Sequence, residues 1–460
     1  MIDIRHVLSL VVMLYPVCNA LTQAQPPNIL FLLTDDQRHD ALHCAGNPLI
    51  QTPHLDALAH DGIRFSNMFV TTAICSTSRA SILTGLYERA HGYSFGTKPI
   101  TNEHARNSYP ALLRKAGYHT GFVGKWGVTV EKGITSELFD SIVPLNQSPY
   151  WKKLPDSKRR HLTDIEGDHA ITFLKSIPPG KPFCLSVSFN APHAEDADPR
   201  QYYWQQEVDH LYQTTNFPVP RTMNDKFFQK QPAFLKNSES RVRFHWRFDQ
   251  PEKYQNMVRG YYRMISGVDL VIGRIRQTLQ SQGLAENTII IFSSDNGYFL
   301  GERGFADKWY LYEPSVRVPL IVFDPRSPKS TQSKVQTAMA LNVDLAPTFL
   351  DQAGIPVPKT MQGRSFKKIL DGKVPNDWRT EFFYEHLFKR DNIPMSEGVR
   401  TTRHSYIRWF QQKPVVEELY DHQVDPDQVN NLIHQAQHQK LAAELRQKTD
   451  VYRQQWSKTP

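Results

Sequence analysis

Cysteine is scarce in this chain. There are 4 in 460 residues, too few for disulfides to frame the fold. Blocks of like charge are absent and apolar runs recur, which excludes intrinsic disorder. No Lys/Arg-rich block stands out, so nucleic acid is set aside as a partner. Only one apolar stretch stands apart from the globular pattern, Val7 to Val17. It is too short to cross a bilayer, so no stable membrane insertion is expected. With Arg5 and His6 before it and Cys18-Asn19-Ala20 after it, the stretch has the form of a secretory signal. Cleavage after Ala20 or Ala24 is expected, residues 1–24 being the signal peptide of an exported chain, periplasmic or secreted. Three cysteines then remain, Cys44, Cys75 and Cys184, and an odd number leaves at least one unpaired or chemically used. The 54 Lys+Arg against 46 Asp+Glu give a net charge of +8, which either keeps the surface soluble or steers anionic substrates inward.

Four β-type apolar runs share one property: each ends in residues that carry chemistry. Asn28 to Leu33 ends in Thr34-Asp35-Asp36, and His119 to Val123 in Gly124-Lys125-Trp126. Pro182 to Phe189 ends in Asn190-Ala191-Pro192-His193, and Thr288 to Phe292 in Ser293-Ser294-Asp295-Asn296-Gly297. Near-continuous apolar runs suit strands buried on both faces of a parallel sheet. Helical patterns lie between them, such as Val268, Ile272, Ile275 and Leu279 on one helix face. The expected class is therefore α/β, a mostly parallel sheet sandwiched by helices. Ligands in such sheets bind beyond the carboxyl ends of the strands, where these residues fall.

The segment Glu195 to Tyr254 is rich in aromatics and charge, with Tyr202, Tyr203, Trp204, His245, Trp246 and Arg247. It reads either as a long insertion over the sheet edge that shapes a substrate cleft or as an excursion packed by its own aromatics. From about Val374 short alternating runs (Tyr406 to Phe410, Glu418 to Tyr420) and the turn at Asp425-Pro426 predict a small antiparallel sheet. A polar, Gln-rich helix is predicted from about Gln437 to Trp456. The division expected is 25–373 for a catalytic α/β domain and 374–460 for a C-terminal α+β subdomain.

Asp35-Asp36 and Asp295-Asn296 place four oxygen donors at two strand ends. Adjacent carboxylates repel unless a cation lies between them, and a hard divalent ion, Ca²⁺ or Mg²⁺, resolves that. Turn and capping chemistry is the alternative and would suffice for one such pair, but two pairs on a shared rim favour the cation. The stretch Ile74 to Gly85 reads as a loop entering a helix that stops near Gly85, with Cys75 at the helix start. There free N–H groups and the helix dipole favour anions, and a lowered thiol pKa is expected. Arg79, one turn in, is expected to fork two hydrogen bonds onto an oxyanion or a modified Cys75. Cys184, inside a strand, and Cys44 are expected to be structural.

Cys75-Ser76-Thr77-Ser78-Arg79, followed by Ala80-Ser81-Ile82-Leu83-Thr84-Gly85, resembles the signature of the formylglycine-dependent (type I) sulfatases of the alkaline-phosphatase-like superfamily. Further blocks are similar in the same order: Asn28 to Asp36, Thr52 to Ala59, Gly124-Lys125-Trp126, Ala191-Pro192-His193 and Ser294-Asp295-Asn296-Gly297. So are Arg317-Val318-Pro319-Leu320, Asp344 to Thr348, Gln362-Gly363-Arg364-Ser365, and Glu418 to Asp421 with Asp425-Pro426. The resemblance implies an alkaline-phosphatase-like fold and the hydrolysis of sulfate esters. It implies that a partner enzyme oxidises Cys75 to formylglycine, whose hydrate attacks the ester sulfur and then expels sulfate. Asp35, Asp36, Asp295 and Asn296 would hold one Ca²⁺ together with the modified Cys75, and Arg79 would fix that side chain. Lys125 and Lys308 would bind sulfate oxygens, and His193 would protonate the departing sugar oxygen.

Two positions depart from the family pattern. Thr77 stands where Pro or Ala is usual, and Gly127 stands where a His usually follows Gly124-Lys125-Trp126. That His helps to take the proton when sulfate is expelled, and His91 or His161 is the expected substitute. The substrate expected is a sulfated carbohydrate. A phosphoester or phosphonate hydrolase on the same scaffold, and a non-catalytic glycan-binding relative, are the alternatives.

Overall fold

In the computed structural model, which describes residues 25–457, the apolar runs become the middle of one 9-stranded sheet. Its strands are β1 (Asn28–Thr34), β2 (Ile63–Phe69), β3 (His119–Gly124), β4 (Ser141–Pro144), β5 (Phe183–Ser188), β6 (Thr288–Ser294), β7 (Arg317–Phe323), β8 (Lys334–Gln336) and β9 (Ala340–Leu341). They run in the order β8-β2-β7-β6-β1-β5-β3-β4, with β9 pairing to β2 off that path. Neighbours are parallel except β7, which runs antiparallel to both β6 and β2. Every residue of β1, β5 and β6 is buried, as expected of strands covered on both faces.

Side chains of β1 alternate between two cores. Ile29, Phe31 and Leu33 face helices α2 (Cys75–Thr84), α3 (Tyr109–Lys115) and the later Leu345–Gln352 helix. Leu30 and Leu32 face α1 (Pro53–Asp61), α4 (Leu162–Lys175) and α6 (Pro251–Ser281), the last carrying Val268, Ile272, Ile275 and Leu279. The two layers explain why these strand segments are apolar at successive positions.

A second sheet is four-stranded and antiparallel, formed by Glu381–His386, Ser396–Thr401, His404–Trp409 and Val416–Asp421. The C-terminal helix Gln439–Trp456 packs on it through Ala442 and Leu445. Phe382, Phe383 and Tyr384 of the sheet join the main core, and Glu385 donates its N–H to Thr71 O at 3.0 Å. The sheet is thus tied to the loop that leads into Cys75.

The segment Glu195 to Tyr254 does not lie over a sheet edge. It folds into short helices, among them α5 (Glu239–Arg247), over the carboxyl ends of β5 and β6. There Tyr202 Oη donates to Tyr298 Oη at 3.1 Å and Arg243 pairs with Asp307. Both partners, Tyr298 and Asp307, lie in the loop that follows β6, and the segment itself follows β5. These two strands flank β1, which places it near the centre of the sheet. The expected signal peptide lies outside the described residues. Among those described, no helix is long and apolar enough to cross a membrane.

Candidate active site

Four strand ends and one helix start converge. Asp35 and Asp36 leave β1, with Asp36 in the left-handed region at φ 65°. That turn is held from three sides. Asp36 N–H donates to Asp295 Oδ1 at 3.2 Å, Gln37 N–H to Ser294 Oγ at 3.0 Å, and Tyr261 Oη to Asp36 O at 2.7 Å. Asp295 N–H returns to Thr34 O at 3.1 Å, so the two acidic tips are stitched to each other. Lys125 follows β3 and His193 follows β5. Cys75 opens α2, a helix closed at Gly85 in the left-handed conformation glycine favours.

The charges interlock. Lys125 Nζ pairs with Asp35 Oδ2, and Lys308 Nζ lies 2.5 Å from Asp36 Oδ1 and 3.2 Å from Asp307 Oδ1. Burial works to raise the Asp35 carboxyl, but Lys125, His193, Arg79 and Lys308 overcome it and hold it below the usual carboxylate range. Asp36 goes the other way. Burial, helped by Asp35 and Asp307, pushes it to about 7 in spite of Lys308. Burial and the Asp35 charge likewise push Asp295 to about 6. Lys125, Lys308 and Arg79 match the three carboxylates in number, so the case for a further cation rests on the oxygens left without a donor.

The donor set suits a hard cation. Asp35, Asp36 and His193 offer ligand atoms within 4.8 Å of one another. Asp35 Oδ1 and Asn296 Oδ1 are buried without a hydrogen-bond partner. Asn296 turns its Nδ2 to Asp36 Oδ1 at 2.6 Å, so its carbonyl oxygen stays free. Buried acceptors are normally satisfied, and two orphaned oxygens among paired carboxylates fit an oxygen-ligated divalent ion.

Arg79 makes its hydrogen bonds elsewhere than to the unmodified Cys75 thiol, and its Nη2 makes none. Nε donates to Asp295 Oδ2 at 2.8 Å, Nη1 to Lys125 O at 2.7 Å and to Ser188 Oγ, and Nη2 lies 3.5 Å from Asp35 Oδ2. With its side chain only 4% exposed, Arg79 braces the acidic tips. The Cys75 thiol departs from expectation. It is 5% exposed, and burial raises its pKa despite Lys125 and Lys308 close by. Desolvation outweighs the helix start here.

His193 Nε2 stands 3.5 Å from Asp36 Oδ2. Its Nδ1 is 2.7 Å from both Ala194 O and Gln147 Nε2, and its carbonyl accepts from Tyr150 Oη at 2.7 Å. Burial and Lys308 lower its pKa to about 4. Neither expected substitute for the missing histidine joins it. His91 is consumed between Ser81 Oγ (3.1 Å) and Tyr93 N–H (3.1 Å). His161 caps α4, accepting from Thr163 N–H at 3.3 Å, and its Nε2 donates to Tyr203 O at 3.0 Å. Both rings are structural, because both nitrogens of each are spent.

Cys44, Cys75 and Cys184 are all free. Burial pushes the Cys44 thiol to about 12 and raises that of Cys184. Sequence reasoning missed Asp307, Ser188, Gln147 and Tyr150. Asp307 stands next to Lys308 and Ser188 lies at the end of a strand-forming run, so both had a signal. Gln147 and Tyr150 sit in a polar stretch with none.

The sulfatase family profile matches residues 27–355, and a profile described as "N-sulphoglucosamine sulphohydrolase, C-terminal" matches 301–455. An N-acetylglucosamine-6-O-sulfatase of Bacteroides thetaiotaomicron is 31% identical over 94% of this chain and 87% of its own. An arylsulfatase of Clostridium perfringens is 28% identical over 91% of this chain and 93% of its own. A solved structure described as a complex with its substrate D-glucosamine-2-N,6-O-disulfate superposes with a TM-score of 0.80 at 30% identity, covering 94% of this chain and 98% of that one. A phosphonate monoester hydrolase of Silicibacter pomeroyi shares the fold, with a TM-score of 0.78 at 21% identity over 93% and 95% of the two chains. The chain belongs to the type I sulfatase family of the alkaline-phosphatase-like superfamily, and it is a sulfatase.

Proposed function

We propose that this sulfatase removes sulfate esters from glucosamine-type sugars of a sulfated glycan. The carrying observation is the likeness to the structure holding D-glucosamine-2-N,6-O-disulfate, at 30% identity over nearly the whole of both chains. The N-acetylglucosamine-6-O-sulfatase at 31% identity supports the same substrate class.

The chemistry proposed rests on the residues that converge. When present, formylglycine at position 75 supplies an oxygen nucleophile, and a Ca²⁺ held by Asp35, Asp36, Asp295 and Asn296 supplies Lewis-acid polarisation of the sulfate. Lys125 and Lys308 sit at opposite sides of the acidic tips, where their ammonium groups offset charge that develops on sulfate oxygens. Arg79 keeps Asp295, Asp35 and the Lys125 backbone in register. His193 presents Nε2 to the leaving oxygen. The negative charge of bound sulfate offsets the burial and Lys308 that lower the pKa of the ring, so that it is protonated with substrate in place and serves as the proton donor. Gln147, Ala194 and Tyr150 hold the ring and its backbone from behind.

The reading includes a maturation enzyme that converts Cys75, export after loss of residues 1–24, and a catalytic unit at 25–373 with a C-terminal subdomain at 374–460. Mass analysis of the Cys75 peptide from a host that carries the maturation enzyme, together with sulfate release from N-acetylglucosamine 6-sulfate, tests it. Conversion of the thiol with sulfate release is expected. An unmodified thiol and no release from any sulfated glucosamine would overturn the reading.

A further inference from the structure

We propose that Asp196, Arg243 and Trp246 form the sugar subsite beside the sulfate pocket. In it Asp196 accepts hydroxyl hydrogens of the sulfated ring, and Trp246 stacks on the next pyranose of the chain. The inference rests on the function proposed above and adds that the substrate is an oligosaccharide gripped beyond its sulfated residue.

A short relay of contacts leads from the pocket floor to this rim. Lys308 Nζ lies 3.2 Å from Asp307 Oδ1, and Asp307 Oδ2 lies 2.5 Å from Arg243 Nη1. The same Nη1 is 2.7 Å from Asp196 Oδ2, and the Arg243 guanidinium carbon stands 5.6 Å from the centre of the Trp246 ring. Exposure rises along the relay, from 4% for the Lys308 side chain to 32% for Asp196 and 41% for Trp246. Asp196 is also three residues beyond His193 in the chain. The group proposed to protonate the leaving sugar oxygen and the group proposed to read that sugar thus share one loop.

The rim is rigid. Glu239, Arg243 and Arg247 fall four apart on α5, so they share a helix face. Arg243 Nε is fixed by Glu239 Oε1 at 2.9 Å, and Arg247 Nε by Gln201 Oε1 at 2.7 Å. Arg247 Nη2 pairs with the second Asp196 oxygen. One guanidinium on each oxygen holds the carboxylate ionised and oriented, with lone pairs left for hydroxyl donors. A single exposed Trp is unremarkable by itself. One that lies beside the two guanidinium groups fixing a partly exposed carboxylate, on the loop that also carries His193, has the makeup of a ligand site, a flat apolar wall beside a few convergent polar groups. Arg243 also lies 5.3 Å from the centre of the buried Trp309 ring, a further contact on the guanidinium.

The test compares kcat/KM on three probes: 4-nitrophenyl sulfate, N-acetylglucosamine 6-sulfate, and a disaccharide with that residue at one end. Trp246→Ala is expected to lower the disaccharide-to-monosaccharide ratio about tenfold, chiefly through KM, as loss of one aromatic contact allows. Trp246→Phe should restore most of it, and Asp196→Asn should lower the monosaccharide-to-aryl-sulfate ratio. Ratios unchanged in Trp246→Ala would overturn the subsite while leaving the function standing. If the wild-type protein hydrolyses none of the probes, the function falls instead. Calorimetric binding of the disaccharide then decides the subsite, and equal affinity of wild type and Trp246→Ala would refute it.

Discussion

Placing a side chain at position 127 tests whether the glycine there exists for the sake of Arg79. Gly127 has φ +64°, and an ideal Cβ would stand 2.9 Å from Arg79 Cδ. Two costs follow for Gly127→Ala. The left-handed backbone costs a residue with a Cβ about 1–2 kcal/mol. The contact must also be relieved, and Arg79 has little freedom to give, being pinned by Asp295, Lys125 O and Ser188 with almost no exposure. A shift of Arg79 by about half an ångström drags Asp295 and the Lys125 backbone with it. Since a misplacement of about 1 Å can cost about a hundredfold in rate, a loss of about tenfold is expected. The assay is a melting curve plus aryl sulfate kinetics, after the converted fraction of Cys75 has been matched by mass. Gly127→Asn tolerates the backbone better but carries the same Cβ, so it should keep more stability and share the loss of rate. Gly46→Ala is the control, because that glycine is also left-handed (φ +96°) but a Cβ there would meet nothing within 4 Å. It should lose stability and no activity. Wild-type melting and rate in Gly127→Ala would refute the argument. So would a loss of rate in Gly46→Ala. The same geometry predicts that Gly127→His, which restores the residue usual in the family, impairs this enzyme.

Arg79→Lys keeps the charge but not the fork, so it should abolish the link between Asp295 and the Lys125 backbone and cut kcat/KM by about a hundredfold or more. A loss under about threefold, less than a typical hydrogen bond is worth, would show that charge alone suffices. Glu166 is buried, accepts from Asn190 at 3.0 and 2.7 Å through Oε1, and leaves Oε2 without a partner. Burial raises it from 4.5 to about 8, so the folded state keeps a proton that the unfolded chain releases. Its contribution to stability is full below about pH 4.5 and is lost as the pH rises towards 8. Glu166→Gln mimics the protonated form and should gain on the wild type in melting temperature between pH 5 and pH 8. Parallel curves would contradict the raised pKa. Dialysis against chelator should remove aryl sulfatase activity, with Ca²⁺ restoring more of it than Mg²⁺. Full activity in chelator would sink the assignment of Asp35, Asp36, Asp295 and Asn296 to a metal.

What was legible in the sequence depended on how local its cause is. The strands β1, β3, β5 and β6 were readable because burial on both faces demands apolar residues at successive positions, whatever the neighbours are. Their polar ends were readable for the same reason, since a charge can follow such a run only where the strand leaves the core. The helix at Cys75 was equally local, with a loop before it and Gly85 to close it. Partner choice was not local. Arg79 has Asp295, Asp35, Lys125 O and Ser188 within reach, and only the assembled sheet decides that the fork serves these rather than the unmodified Cys75 thiol. The thiol illustrates the same limit, because the helix start that lowers its pKa lies in the sequence while the burial that raises it comes from the rest of the chain. His91 and His161 look like free bases as letters, and each is spent on a backbone N–H two residues on and on a second partner, Ser81 or Tyr203, that only the fold supplies. A sulfatase motif therefore announces its nucleophile and acidic tips. How firmly they are held is decided by groups such as Ser188, and Gly127 matters for the same reason, since the missing side chain leaves Arg79 room to reach Ser188, Asp295 and the Lys125 carbonyl.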